Sequence, residues 1–443
     1  MATSPPSRRP ALVDELLVAL GSARATSVIS LTAIGTAFVA RFVRALMGWP
    51  ALGAAIAVLV MLAALSLFAR RRDLEWRGLL PISLLIFLGW NGLTVLWTEN
   101  QWATFSGVAY QCAFALLGVY VALTRDLIQV IRAVGDVIRL SLVLSFALEI
   151  FAGLLIDQPI RFLGIEGNLG SALPIQGIFG MRNQLGLVAL LGVVTFTAEL
   201  LTRSVTRLIA ISSLVLSLLA IGFTRSPVVI GATIAAVAAA LVMYGLRQLA
   251  PSARRAAQFV LLGLTVVALA IAWTTRSQII AILNAGSEFE VRYNLWQSVL
   301  DFVGIRPLEG WGWVGLWRTE LQPYLAINVI DGRQHASALN APIDVLLQSG
   351  MVGLFCFIVL VALALVRSWL LGANQRSVVY VWPAIVLVAL LVTSLAESSV
   401  LVEFGWLLFV LCTVAAAHRL SWRSNYEADP GIMQKPPVRR RND

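Results

Sequence analysis

Long apolar runs separated by short polar connections dominate the hydropathy pattern of this chain. Twelve runs of about 16 to 22 residues can be marked, close to the length that a helix needs to cross a hydrocarbon core. The pattern therefore predicts an all-α polytopic membrane protein with about 12 transmembrane helices. The predicted spans are residues 26–46, 51–68, 79–97, 106–123, 140–156, 184–201, 208–223, 228–246, 257–273, 345–366, 378–395 and 400–417.

The connections between these runs alternate in charge. Of the 33 basic residues, 23 lie in connections and tails that share one predicted side, 8 lie on the other side, and 2 lie inside the first run. Because cytoplasmic segments carry the excess of arginine and lysine, the alternation predicts that both termini are cytoplasmic. The predicted location is the cell inner (cytoplasmic) membrane.

This topology divides the chain into five predicted parts, of which the third is a large extracytoplasmic loop between helices 9 and 10. The parts are a cytoplasmic N-terminal tail (1–25), transmembrane helices 1–9 (26–273), the loop (274–344), transmembrane helices 10–12 (345–417) and a basic cytoplasmic tail (418–443).

Composition excludes a soluble domain, because 59% of the residues are hydrophobic, 13% are charged and the mean hydropathy is +0.85. The net charge of +10 follows from the topology and from anionic lipid at the inner leaflet, so it gives no support to nucleic-acid binding. All three cysteines fall inside predicted spans. A disulfide framework in the loop and a zinc-binding spacing are therefore excluded.

The loop is the one long polar segment, and a loop of this size favours a working site over a simple connector. Apolar residues at 291, 295, 299, 302 and 303 fit an amphipathic helix on the membrane surface. Arg292 and Trp296 are four residues apart and share one face of it. The alternative is a surface helix whose arginine only contacts lipid headgroups.

Arg225 lies at the outer end of a predicted span, between Gly222 and Pro227. The glycine and proline imply a short break with freed backbone amides, and a guanidinium group at such a break suits a phosphate. The alternative is an arginine that reaches lipid phosphates. Arg182, in the segment Gly180–Gln184, has the same two interpretations.

Trp311, Trp313 and Trp317 alternate with Gly310, Gly312 and Gly315, which indicates a tight turn. The three rings form either an interfacial aromatic belt or a platform on which sugar rings stack. A different set of residues also suggests function, because ionisable groups are costly inside a membrane. These are Glu149, Glu199 and Glu403 within spans. His335 lies instead in a polar outward segment, where an imidazole is free to titrate, although a lone histidine is more often structural.

Several motifs, in their order along the chain, resemble the O-antigen ligase and O-antigen polymerase superfamily of bacterial membrane glycosyltransferases. They are Gly-Ile-Phe-Gly-Met-Arg-Asn at 177–183, Phe-Thr-Arg-Ser at 223–226, Arg-Tyr-Asn-Leu-Trp at 292–296, Arg-Pro-Leu-Glu-Gly-Trp-Gly at 306–312 and the run from Leu339 to Gly353 that ends in Gly-Met-Val-Gly.

The resemblance implies a donor glycan linked to a polyprenyl pyrophosphate, transfer to a hydroxyl of a glycan or lipid acceptor, inversion, and no cofactor or metal. Membrane lipids are the other expected partners, and nucleic acid is not one. By the same resemblance, Arg225 and Arg292 bind the donor pyrophosphate. The implied catalytic residues are His335, Arg292 and Arg225, and the implied substrate-binding residues are Arg182, Asn183, Trp296, Trp311, Trp313 and Asn340.

The catalytic base is a point of departure from that family. The family usually has His-Asn where this chain has Leu339 and Asn340. His335 lies four residues upstream and is the first candidate for the base, followed by Asp344 or Glu320.

Two other functions fit the same pattern. A transporter of a solute or lipid-linked sugar would place Arg225 and Glu149 in a translocation path, with the loop as a lid. A peptidoglycan-type polymerase would rely on a loop carboxylate such as Asp331 or Asp301. The position of the critical residues discriminates these functions, because a transporter needs them near the middle of the membrane.

Overall fold

The chain folds into a bundle of apolar helices with a polar helical segment inserted before its last three long elements. The computed structural model describes residues 18–71, 81–170, 173–282, 286–330 and 332–419. Most of the predicted N-terminal tail, all but two residues of the predicted basic C-terminal tail, and Asp331 lie outside the described residues.

The helices follow one another with short connections. They are α1 (Ala23–Ala69), α2 (Ile82–Leu93), α3 (Gln101–Thr124), α4 (Leu127–Ile150), α5 (Arg182–Thr202), α6 (Arg207–Thr224), α7 (Pro227–Gln248), α8 (Pro251–Thr274), α9 (Arg276–Ile282), α10 (Gly286–Ile305), α11 (Tyr324–Ile327), α12 (Ala341–Asn374), α13 (Trp382–Ser394) and α14 (Glu403–Arg419). The strands β1 (Val329–Ile330) and β2 (Arg333–Gln334) form a small antiparallel pair, with Val329 opposite Gln334.

Among the described residues, 7 helices are long and apolar enough to cross a membrane, so the chain is an all-helical, multi-pass membrane protein. These are α1, α3, α4 with the turn that follows it, α5, α6, α7 and α12. Three shorter apolar helical segments, Ile82–Leu96, Val378–Ser394 and Glu403–His418, accompany them. Each predicted span overlaps a helix, but the count of twelve stays a prediction.

Two glycines interrupt the longest helices. Gly48 (φ 78°) kinks α1 just before Pro50, so two predicted spans form the arms of one helical element. Gly350 (φ 67°) kinks α12 in the same way. Both glycines adopt the left-handed region, which side chains other than glycine rarely enter, and each kink provides a break in regular backbone near polar residues.

The core is centred on α5 and α14. In the most apolar 18-residue stretch of α5, 67% of the residues are buried, because the helix packs against α4, α6 and α13. The two ends of α5 define two ends of the bundle. Asn183 lies at its start and Glu199 near its finish, about 24 Å apart along a regular helix. The end that contains Asn183 is called the site end below.

Candidate functional site

The glycine-containing motifs at 306–312 and 350–353 meet at the kink of α12. Leu347 and Gln348 expose their carbonyl groups there, and these accept hydrogen bonds from the amides of Trp311 (3.0 Å) and Gly312 (2.9 Å). The amide of Met351 donates to the carbonyl of Pro307 at 2.8 Å. A side chain at Gly350 would overlap the carbonyl group of Leu308. Close backbone contact therefore explains why residue 350 is a glycine. The same contact attaches the middle of the polar segment to a membrane helix.

A network of charged and amide side chains lies at the site end. Arg292 of α10 is 8% exposed. Its Nη2 donates to Oε1 of Glu397 at 3.3 Å, and its Nε donates to the carbonyl of Ala396 at 3.2 Å. Nδ2 of Asn183 donates to the same Glu397 oxygen at 2.5 Å, and Oγ of Ser226 donates to Oδ1 of Asn183 at 2.6 Å. Residues from three separate parts of the sequence are thus joined through one carboxylate.

Glu288 extends this network to a second arginine. Its carboxylate forms an ion pair with Arg182, and its Oε2 lies 3.4 Å from Nη1 of Arg292. The six residues Arg182, Asn183, Ser226, Glu288, Arg292 and Glu397 are called the Arg292 network. Its two guanidinium groups are balanced by two carboxylates. The hydrogen bonds and ion pairs hold Arg292 in a fixed orientation before any ligand binds.

Arg225 differs from Arg292 because its side chain is exposed. It ends α6 with φ 45°, in the left-handed region. No hydrogen bond or ion pair joins its side chain to the rest of the described chain. The next residue, Ser226, caps α7 by accepting from the amide of Val229 at 3.2 Å. Arg225 is therefore a cation without a counter-ion among the described residues, and it is adjacent in sequence to Ser226 of the Arg292 network.

The tryptophans of the polar segment have structural contacts. Trp313 is 0% exposed and packs edge-on against Phe87, so its ring faces the core and is not accessible for sugar stacking in this structure. Trp311 is partly buried beneath the guanidinium group of Arg306, 4.6 Å from the ring centroid. Nε1 of Trp296 donates to the carbonyl of Ala338 at 2.9 Å. Trp296 thereby connects α10 to the segment that contains His335.

Asn340 contacts the same connection as Arg292. Its Nδ2 donates to the carbonyl of Leu395 at 2.8 Å, and its Oδ1 caps α12 by accepting from the amide of Ile343. His335 is 8% exposed, and its amide donates to the carbonyl of Asn328 at 2.6 Å. His335 follows β2 directly, five residues before Asn340.

Asp344 and Glu320, the next candidate bases after His335, have different surroundings. Asp344 is 1% exposed and accepts from Nε1 of Trp317 (2.7 Å), from the amide of Ala338 (3.1 Å) and from Nε2 of Gln348 (3.2 Å). Through these bonds, Asp344 fixes the position of the backbone around Ala338. Glu320 is exposed.

The glutamates within predicted spans have protein partners. Glu149 is fully buried and accepts from the amides of Gln176 and Gly177, both at 3.0 Å, so it anchors the segment before α5. Glu199 pairs with Arg139 at 2.8 Å, at the end of the bundle opposite the site end. Glu403 pairs with Arg44 at 2.7 Å. These contacts account for each carboxylate without a ligand.

Burial raises the pKa of Glu397, which lies in the connection between α13 and α14, and the positive charge of Arg292 opposes that rise. Glu397 therefore takes up a proton more readily than an exposed glutamate does. Glu397 was not singled out by sequence reasoning. The available signal was its position as an acidic residue in the short break, 396–399, between two apolar runs.

These observations describe an all-helical membrane protein whose charged side chains meet where helices end. Residues 212–358 match a family model described as O-antigen ligase. The match confirms the resemblance to the O-antigen ligase superfamily and supports a membrane glycan ligase or polymerase. The matched range includes Arg225, Arg292, His335 and Asn340 and excludes Asn183 and Glu397. No curated protein matches the chain.

Proposed function

We propose that this protein transfers a glycan from a polyprenyl-pyrophosphate carrier to a hydroxyl of a glycan or lipid acceptor, at the outer face of the cytoplasmic membrane. The proposal includes inversion at the anomeric carbon and independence of metal ions. One observation carries it: a buried, pre-oriented Arg292 and an exposed Arg225 lie in adjoining parts of the same helix-end cluster.

In the proposed reaction, the acceptor oxygen attacks the anomeric carbon on the face opposite the leaving group. The bond between this carbon and the pyrophosphate oxygen breaks, and polyprenyl pyrophosphate leaves with the electron pair. Arg225 and Arg292 stabilise the negative charge that develops on the leaving group. A well-placed donor of this kind typically contributes about 3 to 4 kcal/mol. Guanidinium groups suit this role because their paired donors match two phosphate oxygens.

The proton of the attacking hydroxyl passes to a base, and His335 is the proposed base. Its competitor Asp344 is enclosed by three donors, which supports a structural role for that carboxylate. Asn340 is proposed to orient the acceptor, since an amide cannot take up a proton at neutral pH. Arg182, Asn183, Trp296 and Trp311 remain the proposed substrate contacts, whereas the burial of Trp313 favours a packing role.

The position of the network at helix ends supports a transferase over a transporter. Asn183 begins α5, Ser226 precedes α7 and Glu397 lies between α13 and α14. A translocation path would need its ionisable residues near the middle of the membrane. Glu149, the residue proposed for such a path, is instead occupied by backbone amides. Of the two loop carboxylates that a peptidoglycan-type polymerase would use, Asp301 is exposed and Asp331 lies outside the described residues.

The test is a transfer assay on purified, membrane-reconstituted protein with a polyprenyl-pyrophosphate-linked glycan. Arg225→Ala and Arg292→Ala should each remove nearly all transfer, and lysine at either position should restore little, because a point charge lacks the bidentate fork. Transfer should also continue in EDTA. Full transfer by either alanine variant, or a strict requirement for a divalent metal, would refute the corresponding part of the proposal.

A further inference from the structure

A second group of arginines lies at the kink of α1, apart from the Arg292 network. The guanidinium groups of Arg44 and Arg318 lie 4.6 Å and 5.3 Å from the ring centroid of Trp49. Arg318 belongs to the polar segment between α10 and α12, and its Nη2 donates to Oγ of Ser106 at 3.3 Å. Trp49 itself is 42% exposed. Arg41 lies three residues before Arg44 in α1, so the two share one face of that helix. The residues Arg41, Arg44, Trp49 and Arg318 are called the Trp49 group.

Carboxylates of the described residues do not balance the charge of this group. Nη1 of Arg44 pairs with Oε1 of Glu403 at 2.7 Å, and the hydroxyl of Tyr110 donates to the same oxygen at 3.1 Å. In the described part of the chain, neither Arg41 nor Arg318 has an ion pair. Three guanidinium groups therefore face one carboxylate, whereas the Arg292 network has two of each.

Arg41 is the member with unused donors. Its guanidinium group lies against the backbone of Gly164 and Gly180, and a side chain at Gly180 would overlap it. Both glycines have positive φ, at 70° and 62°. Arg41 makes no hydrogen bond to any described residue. A partly buried cation is costly without an anion, and arginine has five donors to offer one.

The Trp49 group and the Arg292 network share two chain segments. Glu397 lies in the connection between α13 and α14, and Glu403 begins α14 six residues later. One short stretch of chain therefore supplies a carboxylate to each arginine group. Gly180, against which Arg41 packs, lies two residues before Arg182. The two groups are therefore neighbouring features of the same end of the bundle.

We propose that the Trp49 group is a second anion subsite, which binds a phosphate group distinct from the donor pyrophosphate. The phosphate belongs to the acceptor or to a phospholipid headgroup, and in either case Arg41 and Arg318 donate to its oxygens. The exposed ring of Trp49 offers an adjoining sugar an aromatic face. The assignment to the acceptor rests on the proposed function, whereas the binding of phosphate does not.

Isothermal titration of the full-length protein in phosphate-free detergent micelles, with inorganic pyrophosphate as the probe, tests the subsite. Two binding events are expected. Arg225→Ala should remove one of them, and Arg41→Ala should weaken the other at least about tenfold, as expected for loss of charge-assisted hydrogen bonds. Arg41→Ala breaks no protein hydrogen bond, so the fold should survive. Arg318→Ala should give the same selective weakening.

Arg161→Ala is the matched control, because Arg161 is an exposed arginine in the segment between α4 and α5. It should leave both events unchanged. A single event, or a second event that persists in both Arg41→Ala and Arg318→Ala, would overturn the proposal. If Arg225→Ala kept full transfer while Arg41→Ala still lost its binding event, the proposed function would fail and the subsite would stand.

Two further arms identify the source of the phosphate. Phosphatidylglycerol added to the micelles should abolish the second event if a phospholipid headgroup occupies the subsite. If the event persists, the acceptor is the source, and Arg41→Ala should raise the KM for acceptor about tenfold while the KM for donor is unchanged. Equal changes in both KM values would contradict an acceptor-side position.

Discussion

Two arginine–glutamate pairs with buried carboxylates lie at opposite ends of α5, and they differ in their surroundings. Arg139 donates to Glu199 at 2.8 Å, to Ser213 at 2.7 Å and to Asp136 at 2.6 Å. All four residues belong to regular helices, so the pair ties α4, α5 and α6 together. This geometry supports a structural role for the pair.

The pair of Arg292 and Glu397 lies instead where the backbone is irregular. Glu397 belongs to a connection, Arg225 nearby has a left-handed conformation, and Asn340 donates to the adjoining carbonyl of Leu395. A buried ion pair in a membrane protein therefore does not by itself identify a functional site. The Arg292–Glu397 pair differs from the Arg139–Glu199 pair because it lies beside breaks in helices, where backbone groups and exposed cations can contact a ligand.

Glu397→Ala and Glu199→Ala should separate these two roles most strongly. Each leaves an arginine without its buried partner, which typically costs about 3 to 5 kcal/mol of folding free energy. Glu397→Ala should also remove nearly all transfer, because Arg292 loses its orientation. Glu199→Ala should keep normal transfer per folded molecule. Thermal unfolding in detergent, combined with the transfer assay, measures both quantities.

The opposite result is informative in the same experiment. If Glu199→Ala stayed folded and lost transfer as completely as Glu397→Ala, both ends of the bundle would be functional. That outcome would favour a path through the protein over a reaction at one end.

His335→Ala tests whether His335 is the catalytic base of the proposed transfer. Turnover should fall by roughly 10² to 10⁴-fold, the usual size of a general-base contribution, with little change in donor binding. In the wild type, turnover should decline as the pH falls and the imidazole becomes protonated. Asn340→Ala is the control within the same segment and should lose less activity. Near-normal turnover by His335→Ala, with an unchanged pH profile, would exclude His335 as the base.

The smallest expected effect is a change in pH dependence caused by Glu397. Because burial raises the pKa of this carboxyl, it should take up a proton, and release Arg292, at a pH above the usual range for glutamate of about 4.3. Glu397→Gln should remove this acid limb of the transfer profile and lower transfer at neutral pH about tenfold.

The linkage between protonation and folding gives a control for that result. A carboxyl whose pKa is raised in the folded state binds protons more readily than in the unfolded state, so its contribution to stability decreases as the pH rises through this range. Transfer should therefore fall on acidification without any loss of stability due to Glu397. Melting temperatures that fell in parallel with transfer in the wild type, but not in Glu397→Gln, would contradict this account.

Sequence patterns predicted the helices and several members of the site, because apolar run length and helix-breaking residues are local properties. The amphipathic pattern at 291–303 lies within α10, and its Arg292 is buried at the site end. The break around Arg225 is present between α6 and α7. The continuity of α1 through Gly48 was not predicted, since a Gly-Trp-Pro segment is equally typical of a turn between two helices.

Other features depend on packing between distant segments and have no local signal. Glu397 meets Arg292 and Asn183 only because α5, α10 and the end of α13 come together. The alternation of glycine and tryptophan at 310–317 predicted tight backbone, but could not tell which rings point to the core. Trp313 packs against Phe87 because Gly312 lies close to Thr98 and Thr104, which turns that part of the segment inward.

The polar segment before α12 is attached at its middle as well as at its two ends. The amides of Trp311 and Gly312 and the carbonyl of Pro307 are bonded across the Gly350 kink, so this segment consists of two separate spans of chain. A rigid-body swing of the whole segment would have to break these bonds. Access to the site, if it requires opening, therefore belongs to one half at a time: α10 with its arginine on one side, or the stretch that contains β1, β2 and His335 on the other. The two halves also contact each other, because Nε1 of Trp296 donates to the carbonyl of Ala338 at 2.9 Å. Opening either half would therefore loosen the other, which couples the entry of donor to the entry of acceptor.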